Sequence, residues 1–354
     1  MFLISILFVL ISSYFITSCI MKKEQTNNLG VIYFLLICFS QIILSFELLS
    51  LFSLISEKFF IMVNKIIFLS SLVFWIKSSK PIYKPKIFDE LKNIIESLKQ
   101  DKLLSFISIC FIVFLISELF VALFFPITFG DTLKYTFTRC TSWIQNGNIN
   151  HFVTPDTREL IMPVNLEFLY TWLFLFIKKE NGTAIFSYIS YLGAIYLIYN
   201  FLGELKFEIN KRLWAIFAFS SFALIGVMAY SPCSDLLLGT LILSSTYLFY
   251  IYCKNGNKTA IYFASLAYAI AIGTKTTAIM MIPATSIIFL VFLIQFKKDI
   301  KKSFLLFSIP FLINFLIFSS YNYILNFLHY GNFISNNEQS LTSIDLLSLN
   351  DFDT

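Results

Sequence analysis

Hydrophobic positions along this chain fall into long unbroken runs rather than into stripes. Apolar stretches cover about 2–21, 29–51, 59–76, 103–125, 182–203, 213–230, 236–253, 259–273, 276–296 and 303–325. Most approach the ~20 residues a helix needs to cross a hydrocarbon core of ~30 Å. Alternation of the strand type is absent, so a barrel is not expected. The pattern predicts an all-α fold, a polytopic transmembrane helical bundle of about ten spans.

The polar breaks between runs set the threading. Lys77 to Lys102 carries seven lysines and the helical pattern FDELKNIIESLKQ, as expected of an amphipathic cytoplasmic segment. Pro163 to Ile177 is apolar enough to resemble another span, but it is short and holds Asn165 and Glu167. Were it to cross, every later lysine-bearing loop would turn outward. Read as re-entrant or lying at the interface, it places 18 of the 26 Lys and Arg inside and seven outside. The expected organisation is a three-helix membrane segment with a basic linker (1–102), a membrane core (103–325) whose long outer loop (126–181) contains short juxtamembrane helices, and a polar extracytoplasmic tail (326–354). The tail closes at DFDT, which is consistent with a stop there or with the loss of further helices. Four polar spots then share the outer face: the long loop, SPCSD at 231–235, GTK at 273–275 and LHYGN at 328–332.

Composition sharpens this picture. With 58% hydrophobic and 13% charged residues the chain lies far from a soluble domain, which carries about 25% charged residues. The net charge of +5 sits in short loops, the membrane-topology pattern and not a nucleic-acid surface. Six cysteines form no CxxC pair, so neither a zinc site nor a disulfide framework is signalled, and a Cys140–Cys233 bridge is the one outer pairing open. Ile16-Thr17-Ser18-Cys19 faintly resembles a lipoprotein cleavage box, but no basic region precedes it, and the first run reads as a retained helix. Abundant Phe, Ile, Lys and Asn point to an AT-rich bacterial genome.

Candidate chemistry gathers where helices leave the membrane. Asp131 follows directly on the 103–125 run, where an acid is costly without a role, although Asp is also a favoured helix N-cap. Tyr135, Arg139 and Trp143 follow it at helical spacing, with Trp143 suited to an interfacial aromatic belt. Lys275 lies between two apolar runs and requires a counter-charge, a route to the headgroups or a phosphate to hold. Asp235 opens a span after Pro232, where capping competes with function. Glu167 sits in an apolar aromatic stretch and should be paired or wet. His151 and His329 read as hydrogen-bonded surface groups. Asp131, Asp156 and Glu159 are candidate ligands for a divalent cation, though their spacing is not diagnostic. No Walker loop, GxSxG elbow or HExxH is present.

The order of these pieces resembles GT-C-fold membrane glycosyltransferases, in particular enzymes similar to protein O-mannosyltransferases and aminoarabinose transferases. The resemblance rests on G-D-x-x-x-Y at 130–135, R-x-x-x-W-x-x-x-G with Arg139, Trp143 and Gly147, P-x-x-x-E with Pro163 and Glu167, SPCSD with Asp235, GTKTT with Lys275, and N-x-x-x-Y-G-N from Asn326 through Tyr330 to Asn332. It covers about 103–332. Departures are the three preceding helices, a missing arginine before Asn326, and Thr132 where a second acid often stands.

What the resemblance implies is transfer of a sugar from a polyprenyl-phosphate donor to a glycan, lipid or protein acceptor at the extracytoplasmic face of a bacterial cell membrane, with inversion. Asp131 would act as general base. Lys275, with Arg139 or Arg158, would neutralise the departing phosphate. Tyr135, Glu167, Asp235, Asn326, Tyr330 and Asn332 would complete the substrate site. Two rivals are a polysaccharide polymerase or ligase of the cell envelope, which usually carries large basic outer loops, and a lipid-linked sugar flippase, which tends to show internal symmetry. Neither feature is seen in the sequence.

Overall fold

The structure, a computed structural model, describes residues 1–22, 24 and 28–334. Among these residues it is helical with no strand. The first three helices are α1 (Phe2–Met21), α2 (Leu29–Leu51) and α3 (Glu57–Lys77), followed by the amphipathic α4 (Ile87–Gln100) and by α5 (Lys102–Phe124). The long loop then holds a π-helical turn (Thr132–Thr136), α6 (Phe137–Asn146), α7 (Arg158–Ile161) and α8 (Asn165–Ile177). The remaining helices are α9 (Ile185–Glu204), α10 (Ile209–Ser220), α11 (Ala223–Ala229), α12 (Ser234–Asn255), α13 (Lys258–Thr274), α14 (Thr277–Met280), α15 (Ile282–Gln295), α16 (Ile300–Phe318) and α17 (Ser320–Tyr330).

Seven of these, α1, α2, α3, α5, α9, α12 and α16, are long and apolar enough to cross a membrane. An eighth crossing arises if α10 and α11, bent by 79° at their break, count as one. Two further expected spans come out shorter: α13 has 17 residues, and the run at 276–296 is divided into α14 and the 14-residue α15. The polytopic helical bundle therefore stands, with fewer full-length crossings than the hydropathy runs suggest. Buried positions in α13 are mostly small or apolar, Ala260, Ala264, Ala267 and Ala271 among them, so α12 and α16 close tightly around it.

Cross-helix contacts divide the helix ends into two sets. At the lysine-rich end Lys22 Nζ donates to the Ser78 carbonyl (2.7 Å), Asn28 meets Asn200 (3.0 Å) and Lys254 meets Glu204 (2.8 Å). At the opposite end Ile55 N donates to the Gly147 carbonyl (2.9 Å) and Ile149 N to Ser50 Oγ (2.9 Å). Gly147 has φ +71°, and a Cβ there would stand 2.7 Å from the Ser53 carbonyl oxygen, so the C-terminus of α6 requires glycine to dock on the α2–α3 turn.

Helix α8 does not cross the bundle. Its first residue, Asn165, donates to the Ile270 carbonyl (3.2 Å) near the far end of α13. At its other end Trp172 Nε1 donates to Ser5 Oγ (2.8 Å), Phe176 packs on Phe2, and Lys178 pairs with Glu57 (3.3 Å). Ser5, Phe2 and Glu57 lie at the ends of α1 and α3 opposite the lysine-rich end, so both ends of α8 stay at one end of the molecule. All residues from Asn165 to Leu175 are buried. Its N-terminal turn is seated by Gly273, where a Cβ would fall 2.3 Å from Asn165 Nδ2 and 2.6 Å from Ser319 Oγ.

The N-terminal helices are knitted together and to the core. A polar ladder, Ser12 to Gln41 (2.7 Å), Gln41 to Asn64 (2.8 Å) and Asn64 to Ser45 (3.2 Å), joins α1, α2 and α3 in surroundings where water cannot compete. Phe46 stacks on Phe168 (5.6 Å) and Phe60 on Trp172 (6.2 Å), which sets α8 against this segment.

Candidate functional site

The polar spots read from the sequence meet at the end of the bundle remote from the lysines. After α5 the chain runs extended and turns back into helix at Gly130, carrying Asp131 outward with a side chain 58% exposed. The next residue, Thr132, is buried, and its hydroxyl donates to the Pro232 carbonyl (2.6 Å). That bond fastens the Asp131 turn to the SPCSD turn opening α12. Three residues beyond Pro232, Asp235 Oδ1 accepts from Lys275 Nζ at 2.6 Å, with side chains 40% and 34% exposed. Two acids and the lysine from three distant parts of the chain thus share one rim. Neither carboxylate serves as a helix cap: no capping hydrogen bond is made at Asp131 or Cys233, the residues that open the following helices.

Arg158 lies at the centre of the loop side of this rim. It grips Asp156 (2.7 Å), reaches Asp131 (4.0 Å) and lies 4.8 Å above the Tyr135 ring. Hydrogen bonds from Arg158 hold the Asp156 carboxyl below the usual carboxylate range. Among the described residues no three His, Cys, Asp or Glu side chains converge as a metal-ligand set. Asp156 is turned to Arg158, and Glu159 is buried beneath it.

Arg139 and Glu167 are placed differently from what the motif order implies. Arg139 is fully buried and pairs with Glu167 (3.3 Å). Its other donors go to the backbone carbonyls of Arg158 (2.6 Å), Met162 (3.0 Å) and Glu159. Five donors in a rigid fork suit this many-sided clamp, which fixes the loop carrying Arg158. A guanidinium enclosed in this way faces no open rim, so the expectation that Arg139 meets a phosphate gives way to a positioning role. Trp143 is likewise corrected: it is 2% exposed, lies under the Arg139 guanidinium and packs on Phe168, away from any lipid-facing belt.

The third motif supports the same loop from below. Asn326 donates to the carbonyls of Ile161 (3.0 Å) and Phe333 (3.2 Å), and Asn322, one turn earlier, to Met162 (2.9 Å) and Ile161 (3.2 Å). Tyr330 stacks on His151, which also stacks on His329 at 4.8 Å. The His pair is therefore a packed contact, not two separate surface groups. Burial above all, with the neighbouring His329 and Arg139, lowers the His151 pKa to about 4. Asn332 is exposed and accepts from the Ile334 amide (3.2 Å). Asn326 to Tyr330 form the last turns of α17 rather than the start of a tail, and residues 335–354 lie outside the described residues. Cys140 and Cys233 are separate free thiols.

Three residues escaped the sequence reading. Asn322 lies four residues before Asn326 on one helix face, a spacing that could have revealed it. Asp156 appeared only as a metal candidate, and Thr132 only as a missing acid; the bond from Thr132 to Pro232 spans 100 residues and leaves no local signal.

With this geometry in place, comparison with known proteins adds an independent strand. No curated protein and no solved structure matches the chain. Residues 163–324, from the start of α8 through the middle of α17, match the model of the dolichyl-phosphate-mannose-protein mannosyltransferase family. This match supports the resemblance to GT-C-fold membrane glycosyltransferases read from the motifs, over a little under half of a chain whose helices are those of a polytopic membrane protein.

Proposed function

We propose that this protein transfers a sugar from a polyprenyl-phosphate donor to an acceptor at the extracytoplasmic face of the membrane, with Asp131 as general base. The observation that carries this reading is the hydrogen bond from Thr132 to Pro232, which seats an exposed carboxylate beside the Asp235–Lys275 pair. Asp131 takes the proton from the acceptor hydroxyl as its oxygen attacks the anomeric carbon. The bond from that carbon to the phosphate oxygen breaks, and the phosphate leaves with the electron pair. Such a single displacement inverts the anomeric centre.

Lys275 receives the charge that builds on the departing phosphate. Asp235 holds the ammonium in place by one oxygen while about a third of the lysine side chain stays open. Arg158, half-exposed between two acids, is the second cation in reach of the rim. Tyr135 holds its guanidinium plane. Arg139, Glu167, Asn322 and Asn326 set the loop that carries it. The lysine-rich opposite end fits the cytoplasm by the positive-inside rule, which puts the rim outside.

Purified protein supplied with polyprenyl-phosphate sugars and candidate acceptors tests the proposal. Wild type is expected to transfer sugar, and Asp131→Asn to be slower by about 10²-fold or more, the contribution of a positioned base. Equal transfer by the two would remove Asp131 from the mechanism.

A further inference from the structure

A second polar site lies on the lipid-facing side of the core, in the membrane layer below the rim. Glu118 belongs to α5, six residues before its end, or about 9 Å down the helix axis. Its side chain is 8% exposed, and Oε2 has no hydrogen-bond partner. It lines a groove of about 570 Å³ between α5 and the bent pair α10–α11. The walls are mainly apolar, with Phe111, Phe114, Phe217 and Val227 among them, and no Lys, Arg or His lines the groove. Phe222 and Val227 are exposed, so the opening faces lipid.

Several features shape this pocket around the acid. Gly226 faces it: a Cβ there would stand 3.7 Å from Glu118 Oε1. Two more buried hydroxyls, Ser220 and Tyr191, stand near one another at its inner side. The α10–α11 break falls beside the groove, as expected where irregular backbone at membrane depth lines a polar cavity. An acid inside a span is expensive and normally paired, yet here the protein supplies no counter-charge.

We infer that the Glu118 groove binds a membrane lipid bearing a primary ammonium, the acyl chains lying against the phenylalanines and the ammonium donating to Glu118. A cationic donor satisfies the orphan oxygen and neutralises its charge, which neither a choline headgroup, lacking N–H donors, nor an uncharged hydroxyl does. One wall of the groove ends at Tyr230, next to the turn at 231–235 that carries Asp235, so its occupant buttresses the rim from the lipid side. This inference stands apart from sugar transfer and is read by binding alone.

The test is native mass spectrometry of the full chain in micelles doped with equal phosphatidylethanolamine, phosphatidylglycerol and phosphatidylcholine. Wild type is expected to retain phosphatidylethanolamine over each of the others by about tenfold or more, as for a desolvated charge pair. Glu118→Gln, which keeps the shape but loses the charge, should abolish the preference. Gly226→Leu, which fills the groove and leaves the acid in place, should do the same and serves where the Glu118 variant folds poorly. Equal retention of the three lipids, or an unchanged preference in both variants, overturns the inference.

Discussion

At the scale of single residues, the structure separates charges that are open from charges that are enclosed, and the two groups should fail in different ways. Lys275 and Asp235 form a half-exposed pair worth no more than about 1 kcal/mol to stability. Lys275→Met is therefore expected to fold and melt near wild type while transfer falls by about 10²-fold. Arg139→Met leaves Glu167 buried without its partner and frees three loop carbonyls, so a loss of about 3–5 kcal/mol in stability is expected instead. Thermal unfolding measured beside activity distinguishes the two. His151 adds a pH dependence. Its folded pKa of about 4 lies below its ordinary value of 6.5, so folding favours the neutral ring. That contribution is complete above pH 6.5 and is lost as pH falls toward 4. The unfolding midpoint of His151→Asn should change less over this window than that of wild type, and identical pH profiles would count against the assignment. Motif order identified Asp131, Asp235 and Lys275 as chemically unusual. It did not reveal that Arg139 points inward, because a helical residue's direction is fixed by what packs on it, here carbonyls 19 to 23 residues away.

At the scale of elements, apolar runs located most helices, and charge counting supplied a reading of the case on which hydropathy alone is silent. Run length cannot distinguish a buried helix lying along one end of the bundle from a span, and α8, with 11 of its 13 residues buried, has the composition of either. The lysine distribution favoured a helix that does not cross, and contacts at both of its ends agree. Less legible were the breaks. The division at Met281 has a local cause in Pro283, in the first turn of α15, whereas those at Ser221–Phe222 and Ser319 fall within apolar stretches without proline at the break and arise from tertiary packing rather than local propensity. The topology of α8 is checked by reporter fusions after Lys178 and after Lys298, expected outside and inside respectively; the reverse, inside after Lys178 and outside after Lys298, would show that α8 crosses. Gly273→Leu tests its seat. The added side chain cannot share space with Asn165 and Ser319, so transfer and melting temperature should fall together, whereas a silent substitution would show that the contact does not hold α8.

At the scale of the whole molecule, the family match covers residues 163–324, yet the rim it approaches depends on parts outside it. Asp131, Arg139 and Arg158 precede the match, and the α2–α3 turn that receives Gly147 and Ile149 is earlier still. The sequence reading sets 1–102 apart as a three-helix membrane segment with a basic linker, and the resemblance begins only at about residue 103. Packing ties that segment to the rest. Phe46 and Phe60 bury the face of α8 on which Phe168 and Trp172 lie, and Ser50 holds both Ile149 N and the Tyr321 hydroxyl. Helix α8 in turn carries Glu167, the carboxylate paired with the Arg139 clamp. The first three helices should therefore act as the back wall of the loop that carries Asp131 and Arg158. Cutting the connection between α3 and α4 with an engineered protease site, while leaving both pieces in the membrane, should preserve their association through detergent extraction and much of the transfer activity. Weakening the shared face with Phe46→Ala and Phe60→Ala should release the cut fragment and abolish transfer, with each truncation costing about 3–5 kcal/mol. Full activity of the core after the fragment is lost would show that the wall is dispensable and that α8 keeps its position from the core side alone.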